Sequence, residues 1–392
     1  MTFALGWRSA IGCPRAVLDN DRSVIPERRE FHRFVIFSLY NILAKWGEHP
    51  VSNIIQPRRI RLEASSICQL RCPSCPNTSK ALQSVIGSGF LKLHDFQNLL
   101  DSSPWLAEIE LSNYGEIFLN PDLLEMMKYA HERKVILRAD NGANLNHVKE
   151  EVLEGLVRYR FGSMTCSLDG ASNETYQMYR VGGNFDTVIE NIRKINHFKR
   201  QYRTEYPMLA WQFVVFGHNE HEIPAARKLA GELDMAFRPK LSWDADFSPV
   251  RDAEFVKREA GLDAVSRQEF KAKRGVDYAR ICYQLWLEPQ INWDGKMLGC
   301  CRNTWGDFGG NAFQDGLFES LNNERMRYAR EMLRGKRVAR GDVPCTTCDV
   351  YLGMRADGYW ITKEELSRGW TRLLHRAARY ARHPLQAYGH QK

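Results

Sequence analysis

Between residues 56 and 244, short apolar segments alternate with longer stretches whose apolar residues recur at helical spacing. A regular succession of strand and helix predicts a parallel sheet joined by right-handed crossovers. Six such units predict an α/β fold, a partial (β/α)6 TIM-like barrel, with its chemistry at the carboxyl ends of the strands. The predicted strands are residues 59–63, 108–112, 135–139, 163–168, 209–215 and 237–241, with helical patterns such as 121–132 and 184–199 between them.

Four further segments flank this barrel, which we assign to residues 56–244. Residues 1–55 predict an N-terminal arm and a helix, packed on the domain or lying at a membrane interface. Residues 245–280 predict a helical linker. The segment Asn292-Trp293-Asp294-Gly295 predicts a β-hairpin turn. Residues 281–360 are therefore expected to form a small cysteine-rich domain of a β-hairpin and helices. Residues 361–392 predict a basic amphipathic C-terminal helix.

Composition narrows the class of protein. Charged residues make up 26% and hydrophobic residues 44% of the chain, which is typical of a globular protein. No apolar stretch approaches the roughly 18 residues of a membrane span, and no signal peptide is recognisable, so we expect a cytoplasmic protein. The net charge of +8 resides mostly in the C-terminal segment, which disfavours nucleic acid as a partner. That segment is either a solvated face or a contact for phosphates or anionic lipid.

Three cysteines follow the first predicted strand in the pattern C-x3-C-x2-C. They are Cys68, Cys72 and Cys75. Structural zinc would need a fourth protein ligand, and no further Cys or His is close in sequence. Three thiolates on a four-iron cluster would leave one iron open. In a cytoplasmic protein such cysteines indicate a metal centre rather than disulfide bonds, because the compartment is reducing.

This pattern resembles the radical S-adenosylmethionine (radical SAM) superfamily. The resemblance implies a [4Fe-4S] cluster whose open iron binds S-adenosyl-L-methionine, and reductive cleavage of that cofactor to a 5′-deoxyadenosyl radical that abstracts hydrogen. It also implies an electron-donating partner such as flavodoxin or ferredoxin. Ser74 departs from the family, which usually has an aromatic or bulky apolar residue before the third cysteine.

Two further motifs fit the resemblance at the ends of the second and third strands. Ser112-Asn113-Tyr114-Gly115-Glu116 is similar to the Gly-Gly-Glu segment that holds the methionyl ammonium group, although Tyr114 replaces the first glycine. Gly115 and Glu116 are therefore expected to bind the cofactor. Asp140-Asn141-Gly142 is similar to the family's Thr-Asn-Gly turn, which implies that Asn141 lies near the cofactor.

The fourth and fifth strands carry the remaining family landmarks. Ser167 and Asp169 belong to a segment similar to Ser-Ile-Asp-Gly, and strand alternation puts them on one face. Arg180 matches a family arginine that neutralises the cofactor carboxylate. The alternative interpretation is a surface arginine beside a glycine turn. Val215 and Asn219 are expected near adenine.

A second group of cysteines follows the barrel. Their spacing resembles the SPASM-type extension in its shortened twitch form, which implies a second, auxiliary [4Fe-4S] cluster with no open iron. A four-cysteine zinc ribbon is the alternative. Whether Cys300 or the adjacent Cys301 is the fourth ligand stays open. The expected ligands are Cys282, Cys300, Cys345 and Cys348.

A fully ligated second cluster suggests an oxidoreductase that dehydrogenates its substrate, with electron transfer as the cluster's role. Epimerisation through a protein hydrogen donor is the alternative, and the cysteines left for it are Cys13, Cys166 and Cys301. No peptide-binding domain is recognisable before the barrel, which favours a small, carbohydrate-like substrate over a ribosomally made peptide. The sequence assigns no catalytic side chain. A zinc- or cluster-structured protein binding RNA or membrane is the non-enzyme alternative.

Overall fold

The computed structural model describes residues 52–82, 84–275, 278 and 282–366. The helix predicted within residues 27–46, Cys13 and most of the predicted C-terminal helix lie outside these residues. The barrel strands and the cysteine-bearing hairpin belong to one compact unit. No helix among the described residues is long and apolar enough to cross a bilayer.

Within the part of the chain that the structure describes, eight strands form one mostly parallel sheet, with the order β6-β5-β4-β3-β2-β1-β7-β8. Strands β1 to β6 pair in parallel and follow one another in sequence, as the predicted partial barrel requires. The strands are β1 (Arg59–Leu62), β2 (Glu108–Glu110), β3 (Ile136–Ala143), β4 (Ser163–Ser167), β5 (Met208–Val215), β6 (Met235–Leu241), β7 (Gln290–Ile291) and β8 (Met297–Gly299).

Helices follow the barrel strands and cover one face of the sheet. Each presents apolar side chains to the strands, and several begin at a capping side chain such as Asn184, which accepts a hydrogen bond from the Thr187 amide. The barrel helices are α1 (Leu93–Ser102), α2 (Leu123–Glu132), α3 (Glu150–Arg158), α4 (Asn173–Tyr179), α5 (Phe185–Gln201) and α6 (Ile223–Glu232). The later helices are α7 (Ala253–Ala260), α8 (Arg267–Arg274), α9 (Gln284–Leu287), α10 (Leu317–Leu321), α11 (Glu324–Leu333) and α12 (Asp349–Ala356).

Alternation along the strands separates the two faces of the sheet. Ile60 and Leu62 are buried in the hydrophobic core beneath the helices, whereas Arg59 and Arg61 point to the opposite, concave face. In β2, Ile109 likewise enters the core between two glutamates. The concave face is therefore polar, and the core lies between strands and helices.

The hairpin extends the barrel sheet, which the sequence does not predict. β7 pairs in parallel with β1, matching Arg61 with Gln290 and Leu62 with Ile291, and pairs antiparallel with β8. The segment after the linker thus adds two strands to the β1 edge of the barrel. This pairing brings the second cysteine group beside the carboxyl ends of β1 and β2.

Candidate active site

Cys68, Cys72 and Cys75 lie in the loop that leaves the carboxyl end of β1. Their side chains pack together in a small apolar cluster with Leu70, Tyr179, Phe216 and Val214. The Cys75 amide donates to the Cys72 carbonyl at 3.0 Å, which closes the turn between these two ligands. Three thiols from eight residues of chain therefore share one pocket above the sheet.

Polar groups contact two of these sulfur atoms from neighbouring loops. Asn144 Nδ2 donates to Cys68 Sγ at 3.7 Å, and Arg180 Nη1 donates to Cys72 Sγ at 3.7 Å. Burial raises the pKa of the Cys68 thiol to about 12, so the free chain holds it protonated. N–H donors aimed at sulfur stabilise the thiolate form that binds iron.

Gly115 and Glu116 lie in the loop after β2, packed directly on the cysteine loop. The Glu116 amide donates to the Ile67 carbonyl at 2.8 Å, and a Cβ atom at Gly115 would lie 2.2 Å from the Ser65 carbonyl oxygen. Only glycine fits this contact. The Glu116 carboxylate accepts from the amides of Phe118 and Asn144, at 3.3 and 2.6 Å, so it joins the loops after β2 and β3.

Glu63, which the sequence did not single out, anchors the same loop. Its side chain is fully buried, and Oε1 accepts from the Tyr114 and Gly115 amides at 3.0 and 3.1 Å. Burial raises the pKa of Glu63 to about 8, against the opposing effect of these backbone hydrogen bonds. A signal was present in the sequence, because a glutamate ends the first strand immediately before the cysteine loop.

This carboxyl group gives the stability of the protein a pH dependence. A buried acid that stays protonated up to about pH 8 makes folding less favourable as pH rises from about 4.5, by about 1.4 kcal/mol per pH unit, and the loss is complete above pH 8. In Glu63→Gln, the free energy of unfolding should therefore fall less steeply over pH 5–8. Urea unfolding at several pH values measures this, with the exposed Glu190→Gln as a control whose curve follows the wild type. Parallel curves for Glu63→Gln and wild type would contradict it.

Asn141 is brought to the site at the end of β3. Its Nδ2 donates to the Ser112 carbonyl at 2.7 Å, and its amide donates to Ser112 Oγ at 3.2 Å. Asn144, three residues on, was missed although it contacts both Cys68 and Gln69. β3 continues beyond the predicted residue 139, with a register shift between Ala139 and Ala143, and this carries Asn141 to Asn144 towards the cysteines.

Asp169 and Arg180 form an ion pair beside Cys72. Arg180 Nε and Nη2 contact Asp169 Oδ2 at 2.7 and 2.6 Å, while Asp169 Oδ1 accepts from the Val214 amide at 2.7 Å. Asp169 is fully buried, so the pair orients the guanidinium group. Ser167 lies on the same face of β4, against Gly142, where an added Cβ would approach Ser167 Oγ to 2.5 Å.

The structure does not bring Val215 to this site. Val215 packs in the core between sheet and helices, with Trp211 and Phe213, whereas Val214 packs against the three cysteines. Successive side chains of a strand point to opposite faces, so the side chain on the cysteine side is that of Val214. Asn219 is buried and donates to the carbonyls of Asp169 and Val214, so it ties the ends of β4 and β5 together.

Ser74, the departure from the family pattern, has a polar partner. Its Oγ donates to Asp244 Oδ2 at 2.5 Å, which links the cysteine loop to the segment after β6. That hydrogen bond lowers the pKa of Asp244. The serine thus replaces an apolar contact by a polar attachment between two loops of the site.

Comparison with known proteins agrees with this geometry. The sequence profile of the Radical SAM superfamily matches residues 62–229, from the end of β1 into α6. The chain contains a radical SAM domain. All three cysteines and every expected cofactor-binding residue lie within the matched segment. No curated protein sequence matches the chain significantly.

SuiB shares the fold of this chain at low sequence identity, and BtrN is a more distant structural match. SuiB of Streptococcus suis bound to S-adenosylmethionine has a TM-score of 0.54 and 15% identity, covering 79% of this chain and 74% of SuiB. SuiB bound to its precursor peptide SuiA has a TM-score of 0.50 and 12% identity, covering 86% and 78%. BtrN in complex with AdoMet and 2-DOIA has a TM-score of 0.43 and 16% identity, covering 76% and 94%.

The residues of the radical SAM domain fit the groups that the family implies. Three soft sulfur ligands in an apolar pocket suit an iron–sulfur cluster that keeps one iron open. Cys68, Cys72 and Cys75 would hold that cluster, and the loops after β2, β3 and β4 surround the space beside it for S-adenosyl-L-methionine.

The second cysteine group surrounds a separate cavity. Aromatic side chains such as Trp305, Phe308 and Tyr351 complete the wall of this cavity. The Cys345 thiol interacts electrostatically with the three other expected ligands, which places the four sulfur atoms around one space. The cysteines that line it are Cys282, Cys300, Cys345 and Cys348.

Cys301 faces away from that cavity, towards the barrel. Its amide donates to Gln284 Oε1 at 2.9 Å, and its carbonyl accepts from Asn113 Nδ2 at 3.1 Å. Burial alone would lower the pKa of the Arg61 guanidinium group. The charges of Glu288, Cys301 and Glu110 outweigh this effect of burial and raise that pKa. The contact with Asn113 and the electrostatic effect on Arg61 together indicate that Cys301 lies on the barrel side of the second site. Cys166 is buried in the core beneath the helices and belongs to neither cysteine group.

Two hydrogen bonds connect the two cysteine sites. Asn113 and Tyr114, in the loop that carries Gly115 and Glu116, bind the segment that carries Cys300. Asn113 donates to the Cys301 carbonyl as above, and the Tyr114 hydroxyl donates to the Asn303 carbonyl at 3.0 Å. The loop expected to bind the cofactor and the loop that carries a second-site cysteine are therefore in direct contact.

Proposed function

We propose that this chain is a radical SAM oxidoreductase that dehydrogenates a small, carbohydrate-like substrate. One observation carries the proposal: a cavity lined by four cysteines adjoins the barrel through the Asn113 and Tyr114 contacts. When bound, the cluster and S-adenosyl-L-methionine would supply a 5′-deoxyadenosyl radical that abstracts hydrogen. The four cysteines would hold an auxiliary [4Fe-4S] cluster whose closed coordination suits electron transfer.

The chain's own residues have defined roles in this proposal. The Asp169–Arg180 pair would position the cofactor carboxylate, and the Gly115–Glu116 loop would hold its ammonium group through backbone carbonyls. Glu63 keeps that loop in place. Asn141 and Ser167 line the same side of the sheet. An electron-donating protein such as flavodoxin or ferredoxin would serve as the reductant.

Two specific observations support alternatives. Cys301 lies on the barrel side of the second site, where its thiol could return a hydrogen atom to a substrate radical, which would make the reaction an epimerisation. SuiB, which shares the fold, has been solved with a precursor peptide, and this supports maturation of a ribosomally made peptide as a second candidate.

The enzyme class is tested by cleavage of the cofactor. The anaerobically reconstituted chain, given S-adenosyl-L-methionine and a strong one-electron reductant, should form 5′-deoxyadenosine and methionine, measured by chromatography. Omission of the reductant is the control and should give none. A product containing solvent deuterium and otherwise unchanged from substrate would indicate epimerisation, whereas loss of two hydrogen atoms would indicate oxidation. Intact clusters without any cofactor cleavage would contradict the proposed class.

A further inference from the structure

The turn that follows Cys300 is closed by one buried asparagine. Asn303 is 2% exposed and lines the four-cysteine cavity. Its Nδ2 donates to the carbonyls of Leu298 and Gly306 at 2.9 and 2.7 Å, and its Oδ1 accepts from the Gly306 amide at 3.2 Å. Its own amide donates to the Cys300 carbonyl at 3.3 Å. The shape of the turn that carries Cys300 therefore depends on Asn303.

The main-chain carbonyl of Asn303 accepts a hydrogen bond from outside this turn. The Tyr114 hydroxyl donates to it at 3.0 Å, and the Tyr114 ring packs against the apolar cluster of Leu82, Ile86 and Leu298. Tyr114 replaces the first glycine of the family segment, and a glycine would provide neither the ring nor the hydroxyl. The resemblance to the family therefore does not imply this contact.

Tyr114 is also bound to the segments that carry the first cysteine group. Asn77, two residues after Cys75, donates through Nδ2 to the carbonyls of Tyr114 and Ser66, at 3.3 and 2.9 Å. The Tyr114 amide donates to Glu63 Oε1 at 3.0 Å. Three different segments thus hold Tyr114 at its amide, its carbonyl and its hydroxyl. A continuous series of hydrogen bonds connects the loop of the first cysteines with the wall of the second cavity.

Asn113 adds a second hydrogen bond between the same two loops. Its Nδ2 donates to the Cys301 carbonyl at 3.1 Å. The next residues, Gly115 and Glu116, pack directly on the first cysteine loop, where the Glu116 amide donates to the Ile67 carbonyl at 2.8 Å. A displacement of residues 300–303 would therefore strain residues 113–116, and the reverse.

We propose that Asn113 and Tyr114 couple the two cysteine sites, so that metal held at the second site strengthens binding of S-adenosyl-L-methionine at the first. The inference rests on the metal site of the proposed function, but on no particular metal or reaction there. Bound metal would fix the turn that carries Cys300, and this turn would order residues 113–116. An ordered loop binds more tightly because binding then costs less conformational entropy. By thermodynamic linkage, the bound cofactor stabilises the metal-bound second site by the same factor.

Calorimetric titration of the reconstituted full chain with S-adenosyl-L-homocysteine, which lacks the sulfonium centre, measures this coupling without turnover. Cys348→Ala should remove the metal of the second site and weaken binding of this probe about fivefold, within the usual range of coupling between sites. Tyr114→Phe should weaken it severalfold while metal analysis shows both sites occupied, because only the hydroxyl bond to Asn303 is lost. Adding Cys348→Ala to Tyr114→Phe should then cost about twofold or less, because both changes break one connection.

The matched control is Tyr129→Phe. This variant loses a surface hydroxyl that donates to Asp101 at 2.6 Å, and it should bind the probe as the wild type does. Tyr114→Phe keeps all four cysteines, so it tests the coupling without depending on the folding of Cys348→Ala.

Two results would overturn the coupling alone: wild-type affinity in Tyr114→Phe, or full additivity of Tyr114→Phe and Cys348→Ala. Zinc at the second site with the coupling intact would overturn the proposed electron transfer and support this inference. A wild-type second site that binds no metal would overturn both. Failure of the coupling is therefore distinguishable from failure of the proposed function.

Discussion

Changing Cys68, Cys72 and Cys75 together to alanine should abolish 5′-deoxyadenosine formation and remove about four of about eight iron atoms per chain, on the proposal of two [4Fe-4S] clusters. The physical reason is that, on this proposal, the three thiols packed together above β1 are the sulfur ligands of the first cluster, and alanine cannot bind iron. Iron analysis and the electron paramagnetic resonance of the reduced protein measure the loss. The second cysteine group, which forms its own cavity, should keep its metal.

The control for this triple variant is Cys166→Ala. Cys166 is a buried cysteine of the same domain that packs in the core and belongs to neither cysteine group, so the variant should keep all its iron and its cofactor cleavage. Its cost should be limited to the packing of one small side chain, about 1 kcal/mol. If the triple variant retained full iron and still cleaved the cofactor, the assignment of the first site would be wrong.

Much of the barrel could be predicted from the sequence because its signals are local. The succession of strands and helices, the cysteine spacing and the turn residues each depend on a few neighbouring positions. The family landmarks Asn141 and Asp169 lie at the carboxyl ends of β3 and β4, which parallel strands gather at one edge. Arg180 ends helix α4 and reaches the same edge through its ion pair with Asp169. Their convergence around the cysteine loop therefore follows from topology alone.

What the sequence did not predict depends on contacts between distant segments. The pairing of β7 with β1 joins Arg61 to Gln290, which no local pattern indicates. The sequence does not indicate which of Val214 and Val215 faces the cysteines, because residues 213–215 are all apolar and show no alternation of polar and apolar side chains. Glu63 looked like an ordinary strand residue, and its importance comes from its burial and its hydrogen bonds to the loop after β2.

The adjacent pair Cys300 and Cys301 allows a matched test of the second site. Cys300→Ala should lose about four iron atoms and reduce formation of oxidised product by about a hundredfold or more, equivalent to about 2.7 kcal/mol. Cys301→Ala should keep all its iron. The reason is orientation: Cys300 lines the four-cysteine cavity, whereas Cys301 points towards Arg61 and the barrel.

The results for Cys300→Ala and Cys301→Ala distinguish the possible roles of the second site. Cofactor cleavage without oxidised product in Cys300→Ala assigns the second site to a step after hydrogen abstraction, because the first site is untouched. Zinc in place of iron in the wild-type second site would remove the electron-transfer role and leave a structural one. Iron loss in Cys301→Ala instead of Cys300→Ala would contradict the orientation of the two side chains. Loss of an epimerised product in Cys301→Ala, with full iron, would favour hydrogen return from that thiol over oxidation.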